Sequence, residues 1–147
     1  MKRILITLSM LMTVAVTSVF AKEGTDINQK VLTAFEKDFT AAKNVKWIRD
    51  GEYLKASFTL SDMLTDAYYT EEGELLGSAR NLLFEQLPLS VIHEFNKRFD
   101  ESAVLSVLEI TNAEGTSYRL WIEQGNKKFK IRANGSGELT VIEKSKK

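Results

Sequence analysis

A helix-then-hairpins pattern runs through this chain twice, and that doubling limits its possible folds more than any other feature. Ala34-Phe35-Glu36-Lys37-Asp38-Phe39 comes back sixty positions later as Glu94-Phe95-Asn96-Lys97-Arg98-Phe99, and Glu72-Gly73-Glu74-Leu75 comes back as Ser136-Gly137-Glu138-Leu139. An aromatic pair at helical spacing, followed by a glycine turn and a strand, is a supersecondary unit. Self-similarity at a fixed period points to a fold assembled from copies of it.

Around Phe35, residues Ile27, Val31, Leu32, Ala34 and Phe39 recur at three- and four-residue intervals, the stripe of an amphipathic helix, with Thr25 or Asp26 as its predicted cap. From Val45 the period changes to two. Residues 45–48 read as a strand and Asp50-Gly51 as a hairpin turn. Residues 53–60 then place Leu54, Ala56, Phe58 and Leu60 on one face and Tyr53, Lys55, Ser57 and Thr59 on the other. Strands at 63–70 and 74–83 complete the first set. Trp47 and Ile48 are both apolar and point opposite ways, as do Tyr68 and Tyr69, so one of each pair belongs to the core.

Pro88 opens a second helix, where its missing N–H costs nothing. Strands follow at 104–110, at 117–123 with Tyr118, Leu120 and Ile122 inward, near 128–133 with Phe129, Ile131 and Ala133 inward, and at 138–142. The tail from Lys144 to Lys147 is expected to fray. Hairpin-length links make neighbouring strands antiparallel. One apolar face per strand calls for helices packed on one side. The predicted fold class is α+β, with two tandem repeats at about 26–84 and 87–143. Each is a helix plus four antiparallel strands, and together they form one continuous sheet with helices on one face.

The first residues stand apart. Lys2 and Arg3 precede an apolar run from Ile4 to Val16, and Val19-Phe20-Ala21 places small residues before a cleavage point, so residues 1–21 read as a secretory signal peptide cut after Ala21. The apolar run is short for a membrane span of ~20 residues, so no stable membrane insertion is expected after cleavage. The expected location is the periplasm or the exterior. Residues 22–147 then form one domain, large enough to bury a core without staples. The absence of cysteine excludes disulfides, thiolate metal sites and cysteine nucleophiles. Removing Lys2 and Arg3 leaves 18 basic against 20 acidic residues, a balance that gives no general drive toward nucleic acid or anionic lipid.

The order of these signals resembles a known family. The helix with Phe35 and Phe39, then Asn44-Val45-Lys46-Trp47, Tyr53-Leu54-Lys55-Ala56-Ser57-Phe58, Ala67-Tyr68-Tyr69 with Glu72-Gly73-Glu74-Leu75, and Leu87-Pro88 before a second helix, is similar to the PepSY-like proteins exported by Bacteroidetes. These are described as similar to the β-lactamase inhibitory protein fold. The resemblance spans residues 31–143 and implies two helix-plus-sheet units with one sheet face open. It also implies a protein-binding role, such as restraint of an exported enzyme. It carries no binding residues with it, because the matched positions are scaffold.

Chemistry is sparse. His93 is the only histidine and sits on the second helix beside Ile92 and Phe95, and no G-x-S-x-G or H-E-x-x-H motif occurs. Glu71, Glu72 and Glu74 flank Gly73 without the alternating acids of a calcium loop, and read as a solvated hairpin. Asn134-Gly135-Ser136 has the form of a glycosylation sequon but reads first as a turn. No enzyme, cofactor or metal site is therefore expected.

Lys128, Lys130 and Arg132 alternate away from the core on one late strand, and Arg119 and Trp121 do so on its neighbour. With Tyr53 and Tyr69 they make the candidate binding set: Tyr53, Tyr69, Arg119, Trp121, Lys128, Lys130 and Arg132. The expected partner is a protein or peptide, since four cations without a stacking series do not suit nucleic acid. The alternative is a small-ligand or ion-sensing module in which the sheet curls around a pocket, as in cystatin-like folds.

Overall fold

Asn28 starts the first helix, α1 (Gln29–Asp38), by accepting the Lys30 N–H on its Oδ1 at 2.9 Å, which satisfies a donor the first turn would otherwise leave open. The cap expected at Thr25 or Asp26 thus falls two to three residues later. The structure, a computed structural model, describes residues 26–146; the predicted signal peptide and its cleavage point lie outside the described residues.

Four strands follow: β1 (Lys43–Asp50), β2 (Tyr53–Leu60), β3 (Met63–Tyr69) and β4 (Leu75–Leu82). A 3-10 turn (Phe84–Gln86) leads into α2 (Leu89–Arg98), with Pro88 in its cap position. Then come β5 (Ala103–Asn112), β6 (Gly115–Gln124), β7 (Lys127–Asn134) and β8 (Leu139–Lys146). Every strand pairs antiparallel with the one before it, giving one eight-stranded sheet in the order β1-β2-β3-β4-β5-β6-β7-β8.

Both helices pack on the same face. Val31 and Phe35 of α1 meet Val45, Leu54, Ala56, Phe58, Ala67 and Tyr69; Val91 and Phe95 of α2 meet Val107, Leu120, Ile122, Ile131 and Ala133. These are separate apolar clusters. Between them, on the same face, lies a polar strip: the Arg80 Nε donates to Glu109 Oε1 at 2.6 Å across β4 and β5. Tyr118, opposite Glu109, is almost fully buried, and burial, reinforced by the Glu109 charge, raises its phenol pKa.

Two glycines lock the β3–β4 and β7–β8 turns against the helices. Gly73 (φ +90°) donates to Thr70 O, and Gly137 (φ +94°) donates to Asn134 O, both at 3.1 Å. A Cβ on Gly73 would lie 3.0 Å from Lys30 O, and one on Gly137 would lie 2.7 Å from Ser90 O. The turns therefore press on the first turn of α1 and of α2 respectively.

One expectation is corrected, one element is added and one ambiguity is resolved. The tail expected to fray continues β8, with Lys146 opposite Lys127 and Lys144 opposite Phe129. It is polar because β8 is an edge strand, and lysines there discourage pairing with another chain. The 3-10 turn gave no periodic signal, yet it delivers Phe84 onto Phe95, ring centroids 5.0 Å apart. Trp47 turns inward against Phe35, centroids 5.3 Å apart, and leaves Ile48 half exposed.

Candidate functional site: the open face of the sheet

All buried strand residues lie on the helix side; among the described residues nothing packs over the other face. Strand alternation and register put six of the seven candidate residues there: Tyr53, Arg119, Trp121, Lys128, Lys130 and Arg132. The seventh is misplaced. Tyr69 is fully buried on the helix side, its ring among Phe35 and Trp47 and its hydroxyl donating to Asp38 Oδ2 at 3.0 Å. Burial, together with the Asp38 carboxylate, pushes its pKa well above the ordinary tyrosine value. The physical reason is the composition of β3. Its inward positions are Thr65, Ala67 and Tyr69, the first two small enough to leave room for the aromatics of α1, while Leu64 points outward and is 62% exposed. Hydrophobicity alone therefore selects the wrong phase.

The structure gathers five of the residues on β6 and β7. Trp121 stands opposite Lys130, whose Nζ lies 5.4 Å from the indole centroid, and Glu123 stands opposite Lys128, with Oε1 and Nζ 3.7 Å apart. Arg119 stands directly opposite Arg132, two positive charges on one face with no carboxylate ion-paired to either among the described residues. Tyr53 is not part of this group. It sits four strands away on β2, roughly 19 Å at the usual ~4.8 Å strand spacing.

Sequence reasoning missed the middle of the face. Tyr68 lies opposite Gly77, Asp66 opposite Ala79, Ala79 opposite Ile110, and Leu108 opposite Arg119. The available signal was β5, where Val107 faces inward while Leu108 and Ile110 face out, so apolar residues occupy both faces of one strand. A glycine and an alanine on β4 keep the central strand low between taller neighbours. At one end, a polar cavity of about 300 Å³ is bounded by Asn112, Glu114, Ser117, Arg132, Glu138 and Thr140, so that its lining carries both signs of charge.

The remaining sequence motifs are placed as follows. The Asn134 side chain is used within its turn: Oδ1 accepts from Ser136 N, Ser136 Oγ and Glu138 N, and Nδ2 donates to Glu138. That is the turn reading of the sequon. Glu71 is exposed and pairs with Arg49. His93 is 77% exposed on α2 beside Glu94, away from the open face. Among the described residues no cluster of three His, Cys, Asp or Glu is placed to hold a metal, and no helix is long and apolar enough to cross a membrane.

No family model and no curated protein matches the chain. Solved structures do. A BLIP-like protein from Bacteroides fragilis superposes with a TM-score of 0.73 at 21% identity, covering 80% of this chain and 88% of that one. The fold is that of the BLIP-like proteins. A putative periplasmic protein from Bacteroides eggerthii (TM-score 0.71, 19% identity, 83% of this chain and 90% of that one) shares it. So does a DUF2874 family protein from Bacteroides uniformis (0.72, 17%, 82% and 90%). On the BLIP-like fold of this chain, the helices fill one side of the sheet and the Trp121–Lys130 and Arg119–Arg132 rows occupy the other.

Proposed function

We propose that this chain is an exported, non-enzymatic module of the PepSY-like kind that binds a protein or peptide on its open sheet face. One observation carries the reading. An eight-stranded sheet is covered on one side only, and its bare side is not uniformly polar: Trp121, Tyr68, Leu108 and Ile110 sit on it among cations. Bare faces of antiparallel sheets are ordinarily polar. Aromatic and arginine side chains on an uncovered surface are the residue types that anchor interfaces. Export is supported by the leader-like residues 1–21 and by a structural neighbour described as a periplasmic protein. We read the two halves as copies of one unit, on the matched glycine turns and the matched bonds Phe39 N to Phe35 O and Phe99 N to Phe95 O.

A photo-crosslinking amino acid tests the face directly. Placed at Ala79 in the middle of the open side, it is expected to capture a discrete partner band from periplasmic extract, while the same probe at Lys37 on α1 captures none. Equal capture from both positions would remove the open face as the site.

A further inference from the structure

We infer that the Arg119–Arg132 pair is a carboxylate-binding subsite, and that the partner of the open face presents an acidic segment with an apolar residue beside the acid. This rests on the open face being the binding surface and names the chemistry it would select.

The pair carries an electrostatic cost. Like charges placed directly opposite each other on one face of an antiparallel pair repel. The sheet has several ways to relieve this. Neighbouring basic residues use them: Lys128 is beside Glu123 at 3.7 Å, Lys55 is beside Asp66 at 3.8 Å, and Arg80 is bound to Glu109. Among the described residues Arg119 and Arg132 form no ion pair, and the positions directly across the sheet from them are Leu108 on one side and Thr140 on the other. Two guanidiniums carry rigid forks of N–H donors that match a carboxylate bidentately, a geometry that lysines do not offer.

The surroundings say what accompanies the acid. On the β5 side, Leu108 and Ile110 are adjacent and partly exposed; toward the next row stands Trp121 with Lys130 over its ring. Beyond Arg132 lies the cavity of about 300 Å³, whose lining holds the hydroxyls of Ser117 and Thr140 and the amide of Asn112 together with the carboxylates of Glu114 and Glu138. An acidic side chain reaching the arginines would therefore have an apolar surface on the β5 side, while Glu114 and Glu138 disfavour a second acid toward the cavity. Charge complementarity selects the occupant: among its paired strand residues the open face sets Lys46, Lys55, Arg119, Lys128, Lys130 and Arg132 against Asp50, Asp66, Glu123 and Glu143, a surplus of positive charge to which the Arg119–Arg132 pair contributes. An acidic stretch of a foreign protein fits it.

A phage-displayed library of random dodecapeptides, panned on the folded protein, tests this. Three variants are compared with the wild type: R119Q/R132Q, I110E at the centre of the open face, and K37E on the helix side. The expected result is enrichment of Asp or Glu next to Leu, Tyr, Phe or Trp. Synthetic copies of these peptides should lose at least tenfold in affinity toward R119Q/R132Q and be unaffected by K37E. The same double variant should melt at a higher temperature than wild type, because a repulsion is removed; a purely structural role predicts a lower one. Selected peptides without acids that are blocked by I110E and not by R119Q/R132Q would overturn the arginine subsite and leave the open-face reading standing. Peptides blocked by neither would overturn both. Salt-sensitive self-association of wild type that R119Q/R132Q abolishes, measured by sedimentation, would make the occupant a second copy of this chain and refute a foreign partner.

Discussion

Replacing Gly137 by alanine should damage this fold more than the same change at any hairpin glycine, and the structure supplies the terms. Gly137 has φ +94°, where an L-residue is strained, and its added Cβ would lie 2.7 Å from Ser90 O and 3.0 Å from Ser90 C. Those atoms are backbone in the first turn of α2, so they cannot rotate away. A strained φ costs roughly 1–3 kcal/mol, and forcing extra volume into a packed contact adds about 1–3 kcal/mol. Gly137→Ala is therefore expected to cost ~2–6 kcal/mol. Gly73→Ala, with φ +90° and 3.0 Å to Lys30 O, should fall at the lower end of that range. Gly125→Ala is the control, since its φ of +60° leaves a Cβ in open space and only the conformational cost of about 1–2 kcal/mol applies. Urea denaturation followed by circular dichroism measures all three. With m of ~1.5 kcal/mol/M for a domain of this size, the midpoint should fall by roughly 1–4 M for Gly137→Ala and by about 1 M for Gly125→Ala. Equal shifts for Gly137→Ala and Gly125→Ala would show that the turn does not bear on the helix and would refute the reasoning.

Other consequences can be checked with the same domain. Tyr69→Phe should cost about 1 kcal/mol at neutral pH, the value of a typical buried hydrogen bond, measured by thermal melting. Burial, aided by Asp38, raises the Tyr69 pKa in the folded chain, so above the ordinary value near ~10 the unfolded chain loses this proton first. Stability present below that pH is then lost as pH rises, at up to ~1.4 kcal/mol per pH unit, and Tyr69→Phe should flatten the alkaline side of the stability curve. Phe35→Ala and Phe95→Ala should each cost ~3–5 kcal/mol; because they sit in different clusters, the double mutant should be additive within about 0.5 kcal/mol. Asn134→Ala should lower the urea midpoint through a loss of ~1 kcal/mol, since three bonds to one oxygen disappear.

Much of the architecture was legible because antiparallel hairpins write their register into sequence. Leu54, Ala56 and Phe58 face in where period-two alternation places them, and so do Tyr118, Leu120, Ile122, Ile131 and Ala133. Alternation fails where the inward positions are small. In β3 the helix aromatics take the space that Thr65 and Ala67 leave, so Tyr69 went to the wrong face. The basic row on β6 and β7 was legible because it runs through two well-patterned strands. Its apolar continuation through Leu108, Ile110 and Tyr68 was not, since an outward leucine on a core strand looks the same as an inward one until the helices are placed. The Arg80–Glu109 strip was missed for a related reason: it arises only where β4 meets β5, and that pairing joins residues far apart in the chain.

The division of the core by that strip has a dynamic consequence. Among the described residues each half holds a helix, four strands and an apolar cluster, and they are joined through the β4–β5 ladder with its polar seam and through Leu82 of β4, which reaches the second cluster. Cooperativity across such a boundary is weaker than within either cluster, so amide protons should sort into two protection groups that open with separate free energies. Every strand also pairs with its immediate predecessor, which keeps most pairings short in sequence and favours fast zippering from either end. A binding face that straddles the boundary would then be sensitive to the relative twist of two semi-independent bodies, and clamping it would tie their opening together.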